Sequence, residues 1–200
     1  IDNTDKLKVL IDDAKQFDVE FEPPNVNRGT HRFEPIDAKC VRYGLGAVKG
    51  TGQGAIEAIV AAREEGGAFR SLFDFCARVD RQRVNKRAVE ALVKAGAFDA
   101  LHPERAPVLA SIGLAFDWAD TQEVNQSQSG LFDFGDSHAA STHEPALVAA
   151  EPFDIRQRLS FEKAALGFYY SGHLFEQYAN EVRSIAKRRI ADLVDSREPV

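Results

Sequence analysis

Three glycines at alternate positions constrain this chain more than any other feature of its sequence. They lie in the stretch Lys49-Gly50-Thr51-Gly52-Gln53-Gly54, between segments whose apolar residues repeat at helical spacing. Glycine takes positive φ values easily and lets a ligand approach the backbone closely. The amides of such a turn, opening onto a helix that begins near Gln53, would face an anion, and Lys49 adds a positive charge. The stretch therefore predicts a phosphate-binding connection between two helices.

Two other kinds of phosphate-binding loop do not fit this stretch. A Walker loop carries GxxxxGK followed by Ser or Thr, whereas Lys49 precedes the glycines here. A dinucleotide-binding loop needs a strand before it and an acid near the next strand, but the pattern after Gly54 is helical. A plain glycine-rich helix connector without a ligand stays open as an alternative.

Positive charge is concentrated around this turn, although the net charge of the chain is −6. Residues 41–96 contain ten Lys or Arg against six Asp or Glu, a balance of +4. The second half of this basic island is Asp80-Arg81-Gln82-Arg83-Val84-Asn85-Lys86-Arg87, where Asn85 is a good helix cap. Two cationic turns predict a repeated unit (helix, hairpin, helix) that holds DNA phosphates without reading bases. A solvated charged face is the alternative.

Helical periodicity elsewhere predicts a mainly α fold. Apolar spacing indicates a helix from Asn3 or Thr4, further helices after Gly52, Ser71 and Asn85, and a longer one from about Pro103. Short alternating strands are predicted around Val19 to Phe21 and Val41 to Leu45. We accordingly divide the chain into the tail of an upstream domain (1–37), a compact helical domain (38–120), a flexible linker (121–152) and a helical segment (153–200).

Several motifs, in this order, resemble the alpha subunit of bacterial DNA polymerase III. The residues that carry the resemblance are Tyr43 to Gly54 with Ala58 to Val60, Phe73 to Arg78, Asn85 to Arg87, Gly96 to Asp99, and Phe161 to His173. Pro23 to Asn27 resembles the end of that family's fingers domain. Leu174 departs from the family, in which proline is common at this position. The likeness covers most of the chain apart from the linker and the C-terminal end.

The resemblance implies that residues 38–120 form a tandem helix-hairpin-helix module that grips duplex DNA, and that residues 1–37 end the fingers domain. Other subunits of the polymerase would be partners through the parent chain. The DNA-binding residues carried over are Lys49, Gly50, Thr51, Gly52, Gln53 and Gly54 in the first hairpin and Arg81, Arg83, Asn85, Lys86 and Arg87 in the second. The second hairpin departs from the pattern because it lacks the glycines.

The linker carries a further signal, since Gln128-Ser129-Gly130-Leu131-Phe132 fits the QxxLF pattern with which family members dock to the sliding clamp. Residues 121–150 contain no Lys or Arg, and a polar segment that exposes Leu131 and Phe132 is unfavourable unless a partner buries them. Burying both in a groove contributes roughly 3–6 kcal/mol before ordering costs, while Gln128 fixes the register. Folding of these aromatics back onto the helical domain is the alternative.

The sequence shows no catalytic residues, metal ligands or cofactor site. Polymerisation by two metal ions needs carboxylates that converge on one site, whereas the acidic residues here are predicted to be scattered over helix surfaces. The five histidines show no ligand spacing, and the two cysteines form no CxxC pair, which favours a reducing cytoplasm. No apolar run reaches the roughly 18 residues of a membrane span. The segment is therefore predicted to be non-catalytic within a DNA polymerase, with a repair or recombination module and a protein-only helical adaptor as alternatives.

Overall fold

Helices dominate the computed structural model, which describes residues 4–129 and 143–185. In chain order the elements are α1 (Thr4–Gln16), β1 (Glu20–Glu22), β2 (Glu34–Pro35), β3 (Cys40–Arg42), a 3₁₀ turn (Leu45–Ala47), α2 (Gln53–Gly66), α3 (Leu72–Arg78), α4 (Lys86–Lys94), α5 (Arg105–Ser129), α6 (Ile155–Leu166), a second 3₁₀ turn (Leu174–Tyr178) and α7 (Ala179–Ile185). The prediction of a mainly α chain with short flanking strands is confirmed. Residues 186–200 of the predicted helical segment (153–200) lie outside the described residues.

The three strands form one small sheet in the order β1-β3-β2. β1 is parallel to β3, and β2 is antiparallel to it. Arg42 on the central strand pairs with Glu22 on one neighbour (3.1 Å) and Glu34 on the other (3.3 Å). β1 and β3 lie on opposite sides of the predicted domain boundary at residue 37, so the sheet spans that boundary. Local alternation does not reveal this pairing, because the two strands are distant in sequence.

Local signals set the ends of the central helices as the sequence predicts. The Ser71 hydroxyl accepts a hydrogen bond from the Asp74 amide (2.9 Å), and the Asn85 side chain accepts one from the Ala88 amide (3.0 Å). Gly96, with φ 85°, follows α4 in the left-handed region. The core between these helices is apolar and includes Ile56, Ile59, Leu72, Phe75, Leu92, Phe98 and Ile112.

The predicted linker is partly structured in the described residues. α5 continues past residue 121 to Ser129. Its extension is supported by Arg81, which pairs with Asp120 and Glu123 on this helix. At the far end of the linker, the Val148 amide donates to the Ser111 hydroxyl (2.8 Å). These contacts are tertiary, so polar composition alone did not predict them.

Helix α1 and Phe17, which follows it, bury only part of their apolar side chains. Leu7 and Ile11 are buried, whereas Leu10 and Phe17 are 65% and 66% exposed.

None of the helices in residues 4–129 and 143–185 combines the length and hydropathy that a bilayer crossing requires.

Candidate nucleic-acid interface

The first hairpin is a tight turn between the 3₁₀ turn Leu45–Ala47 and α2. Gly50 has φ 89°, a conformation that only glycine adopts without strain. The Thr51 hydroxyl lies 2.7 Å from the Val48 carbonyl and 3.0 Å from that of Leu45. Thr51 therefore braces the turn from inside, which leaves the backbone amides that follow it as the groups open to a ligand.

Three successive amides at the start of α2 have no acceptor. The carbonyl of Gly52 accepts from the amides of Ala55 (3.1 Å) and Ile56 (3.2 Å), but the amides of Gly52, Gln53 and Gly54 make no hydrogen bond within the described chain. A Cβ atom built on Gly52 or Gly54 would meet nothing within 4 Å. These amides lie at the positive end of the helix dipole, where an anion is favoured.

Two cations flank this open surface. The Lys49 side chain is exposed beside the turn, while its backbone amide donates to the Ala165 carbonyl on α6 (2.7 Å). A Cβ atom on Gly50 would lie 3.6 Å from the Cβ of Ala91 on α4. Arg87 is exposed one turn before Ala91, on the same face of α4. The first hairpin and the helix that follows the second turn therefore contribute charge to one surface.

The cations of the second turn are mostly paired with carboxylates. Arg81 is 18% exposed and pairs with Asp120 (2.9 Å) and Glu123 (2.5 Å) of α5. Lys86 lies 3.6 Å from Asp117. Arg83 lies 3.6 Å from Asp80, and the Asn85 side chain caps α4. Of the predicted cations in this turn, Arg87 is the one that forms no ion pair with a carboxylate in the described part of the chain.

The predicted clamp peptide is only partly covered by the structure. Gln128 lies in the last turn of α5, whereas Leu131 and Phe132 lie outside the described residues. The clamp-binding role of these residues stays a prediction.

Sequence reasoning missed a buried ion-pair network that holds α6 to the helical core. Glu162 is fully buried, so the expectation that the acids lie on helix surfaces is wrong for this residue. One oxygen of Glu162 lies 3.2 Å from Arg105, and the other accepts the amides of Tyr170 and Ser171, each at 2.9 Å. Arg105 also binds Asp99 (2.7 Å). Glu162 falls on the same α6 face as the buried Leu159 and Leu166, a signal in the sequence that could have revealed it.

Burial and charge shift the pKa values of two residues in this network. Burial alone would lower the pKa of Arg105, but the hydrogen bonds and charges of Asp99 and Glu162 outweigh it, so the pKa is raised. Burial, followed by the charge of Glu162, raises the pKa of Tyr170 to about 12. Tyr170 therefore stays a neutral phenol, and its hydroxyl donates to the Phe21 carbonyl of β1 (2.5 Å). The network thus connects α6 with both the core and the sheet.

No group of three or more His, Cys, Asp or Glu side chains is arranged to hold a metal ion within residues 4–129 and 143–185.

Comparisons with known proteins agree with this geometry. Residues 18–108 match the helix-hairpin-helix motif family, a range that includes both turns and the small sheet. Over 95% of its own length, the chain is 46% identical to DNA polymerase III subunit alpha of Neisseria meningitidis serogroup B. It is 38% identical to the subunit of Haemophilus influenzae over 98%, and 37% identical to that of Escherichia coli K12 over 96%. The chain spans only 16–17% of the length of these relatives. It is therefore homologous to a segment of the DNA polymerase III alpha subunits, and residues 18–108 of the chain match the helix-hairpin-helix motif family.

Proposed function

We propose that this segment binds the backbone of duplex DNA within a bacterial replicative DNA polymerase. The observation that carries the proposal is the set of unpaired amides of Gly52, Gln53 and Gly54 on an open surface beside Lys49 and Arg87. Amides and cations of this kind bind phosphate oxygens, which are the same at every base pair. The segment would therefore position the polymerase on primer-template DNA without reading its sequence.

In this proposal the two turns contribute unequally to DNA binding. The first hairpin supplies the amides and Lys49, whereas the second contributes mainly Arg87, because Arg81 and Lys86 are paired with carboxylates of α5. Few phosphate contacts imply weak affinity for the isolated segment. Nucleotidyl transfer would be carried out by the rest of the parent protein, in the cytoplasm and together with the other polymerase subunits.

Duplex binding is expected to weaken with salt, and the Lys49→Gln and Arg87→Gln variants test its cause. Each substitution should reduce the slope of log affinity against log salt by about 1, because each removes one phosphate-neutralising charge. Fluorescence anisotropy with two labelled duplexes of unrelated sequence measures both the affinity and its dependence on sequence. Lys15→Gln on α1, outside the candidate interface, is the matched control. Binding that ignores salt, or slopes unchanged in both variants, would contradict the proposal.

We also propose that the QxxLF pattern docks the segment to the sliding clamp. α5 contacts the second turn through Asp117, Asp120 and Glu123 and then continues to Ser129, so it would deliver the peptide directly from the DNA-binding module. A clamp groove would bury Leu131 and Phe132, two large apolar residues in an acidic stretch of the sequence, where contact with water would be unfavourable for them.

Replacing Leu131 and Phe132 together by Ala is expected to abolish clamp binding and to leave duplex binding unchanged. The loss follows from the removal of both anchor side chains from the groove. Surface-immobilised beta clamp provides the measurement, and Val124→Ala, an exposed apolar residue on α5, is the control. Clamp affinity that survives the double substitution would remove this part of the proposal.

The two alternative functions receive less support. A repair or recombination module would not require the Phe161 to His173 block, which the similarity to polymerase subunits includes. A protein-only adaptor predicts that the basic residues avoid the face of the glycine turn. Arg87 instead lies one turn from Ala91, the nearest neighbour of a Cβ on Gly50.

A further inference from the structure

The guanidinium of Arg81, in the second turn, is occupied by carboxylates of α5. A single nitrogen, Nη2, pairs with both Asp120 (2.9 Å) and Glu123 (2.5 Å). The other terminal nitrogen, Nη1, donates to the Cys76 carbonyl on α3 (3.4 Å), which orients the side chain. Two carboxylates therefore lie where this guanidinium would otherwise hold the oxygens of a phosphate.

Lys86, the first residue of α4, faces the same helix. Its ammonium lies 3.6 Å from Asp117 and 5.5 Å from the centroid of the Phe116 ring. Asp117, Asp120 and Glu123 follow one another at three-residue spacing, which makes successive members neighbours on the helix surface. These three residues form an acidic stripe that covers both Arg81 and Lys86.

The acidic stripe is a weak partner for the two cations. Three carboxylates face one guanidinium and one ammonium, and Asp120 and Glu123 converge on the same nitrogen, so their like charges repel each other. The three acidic side chains are 68–74% exposed. Exposed ion pairs contribute little to stability and are screened by salt. A DNA phosphate, which accepts the same hydrogen bonds, therefore competes with the stripe for both cations.

The part of α5 that carries Asp120 and Glu123 has little hold on the core. Ala115, Phe116 and Ala119 of α5 are buried, but none of residues 120–125, the last whose side chains the structure describes, is buried. Local opening costs least where few apolar contacts are buried. These carboxylates can therefore leave the second turn without disturbing the helical core.

We propose that the acidic stripe is an autoinhibitory contact, which occupies a second phosphate site formed by Arg81 and Lys86. Duplex DNA fills this site when it displaces the carboxylates. The inference rests on the proposed function, because it adds the second turn to a duplex interface centred on the first hairpin. The chain then has two DNA-bound states, one held by the first hairpin alone and one held by both turns.

Neutralising the stripe in the full chain tests the inference, with the Asp117→Asn/Asp120→Asn/Glu123→Gln triple variant. Anisotropy with a blunt duplex gives the affinity between about 50 and 200 mM salt. Two freed cations should steepen the slope of log affinity against log salt by about 2, so the ratio of the affinities at those salt concentrations should grow roughly tenfold. Adding Arg81→Gln and Lys86→Gln to the triple variant should cancel this change, because the gain depends on these two cations.

The matched control removes three carboxylates at α1, in the Asp12→Asn/Asp13→Asn/Asp18→Asn variant. All three residues are exposed, and the change in net charge is the same. The salt slope of this variant should equal that of the unsubstituted chain. An unchanged slope in the stripe variant would overturn the inference. A steepening that survives the loss of Arg81 and Lys86, or that the α1 variant reproduces, would overturn it too, since general repulsion of DNA would then be the cause.

A thermal melt checks that the stripe variant keeps its fold. If it melts early, Asp117→Asn replaces it, because this single substitution frees Lys86 and leaves the partners of Arg81 in place. The slope should then steepen by about 1, and Lys86→Gln should cancel the change. An unchanged slope in Asp117→Asn refutes the autoinhibitory contact equally.

The outcomes separate this inference from the proposed function. Salt-dependent binding that needs Lys49 and Arg87, without a steeper slope in the stripe variant, refutes the autoinhibitory contact alone. Binding that appears only in the stripe variant and needs Arg81 and Lys86 refutes the first-hairpin proposal and leaves the second phosphate site standing. No duplex binding by either chain refutes both.

Discussion

The Glu162→Ala variant is expected to lose about 3–5 kcal/mol of unfolding free energy, because it removes one side of a buried ion pair. Glu162 is fully buried and accepts the amides of Tyr170 and Ser171 while it pairs with Arg105. Its removal leaves those amides without their acceptor and part of the Arg105 charge uncompensated. Arg105 keeps Asp99, so the loss belongs mainly to α6 and the turn after it.

Urea denaturation followed by circular dichroism measures this loss, with Glu65→Ala as the control. Glu65 is exposed on α2, and its substitution should change stability by no more than about 0.5 kcal/mol. Limited proteolysis should cut the Glu162 variant first between residues 167 and 173, because the carboxylate binds the backbone there. Equal stability of the two variants would show that the buried pair does not fasten α6 to the core.

The helix ends could be predicted from sequence because their causes are local. Ser71 and Asn85 accept hydrogen bonds from amides three residues later, and Gly96 and Gly167 adopt positive φ after α4 and α6. Each of these signals lies within a few residues of the boundary that it sets. The open glycine turn before α2 was predictable for the same reason.

The features that could not be predicted depend on residues distant in sequence. From its local sequence Arg81 is predicted to bind phosphate, but in the structure it pairs with Asp120 and Glu123 of α5. The same contacts support α5 beyond the position at which polar composition predicts a linker. β2 is too short to show alternation, and its pairing with β3 depends on the fold.

The Gly52→Val variant is expected to lose roughly 10- to 100-fold in duplex affinity, with only a small loss of stability because valine is a poorer helix N-cap than glycine. Gly52 has φ −78° and ψ 158°, an extended conformation that suits valine, and a Cβ there meets nothing within 4 Å. The protein itself therefore has room for the side chain, whereas a phosphate held by the amides of Gly52 to Gly54 does not. The expected loss corresponds to one charge-assisted hydrogen bond of about 1.5–3 kcal/mol.

A substitution at Gly52 separates the effect on DNA binding from the effect on folding, whereas a substitution at Gly50 cannot. Gly50 has φ 89°, so any side chain there would strain the turn and confuse the two effects. The matched control is Gly113→Ala on α5, where a Cβ also meets nothing within 4 Å but no open amides are present. Anisotropy with a blunt duplex and a thermal melt should show Gly52→Val with strongly reduced affinity at a slightly lowered melting midpoint, and Gly113→Ala with unchanged affinity. Unchanged duplex affinity in a folded Gly52→Val variant would mean that phosphate does not approach these amides, because the valine side chain would occupy the space that a bound phosphate needs.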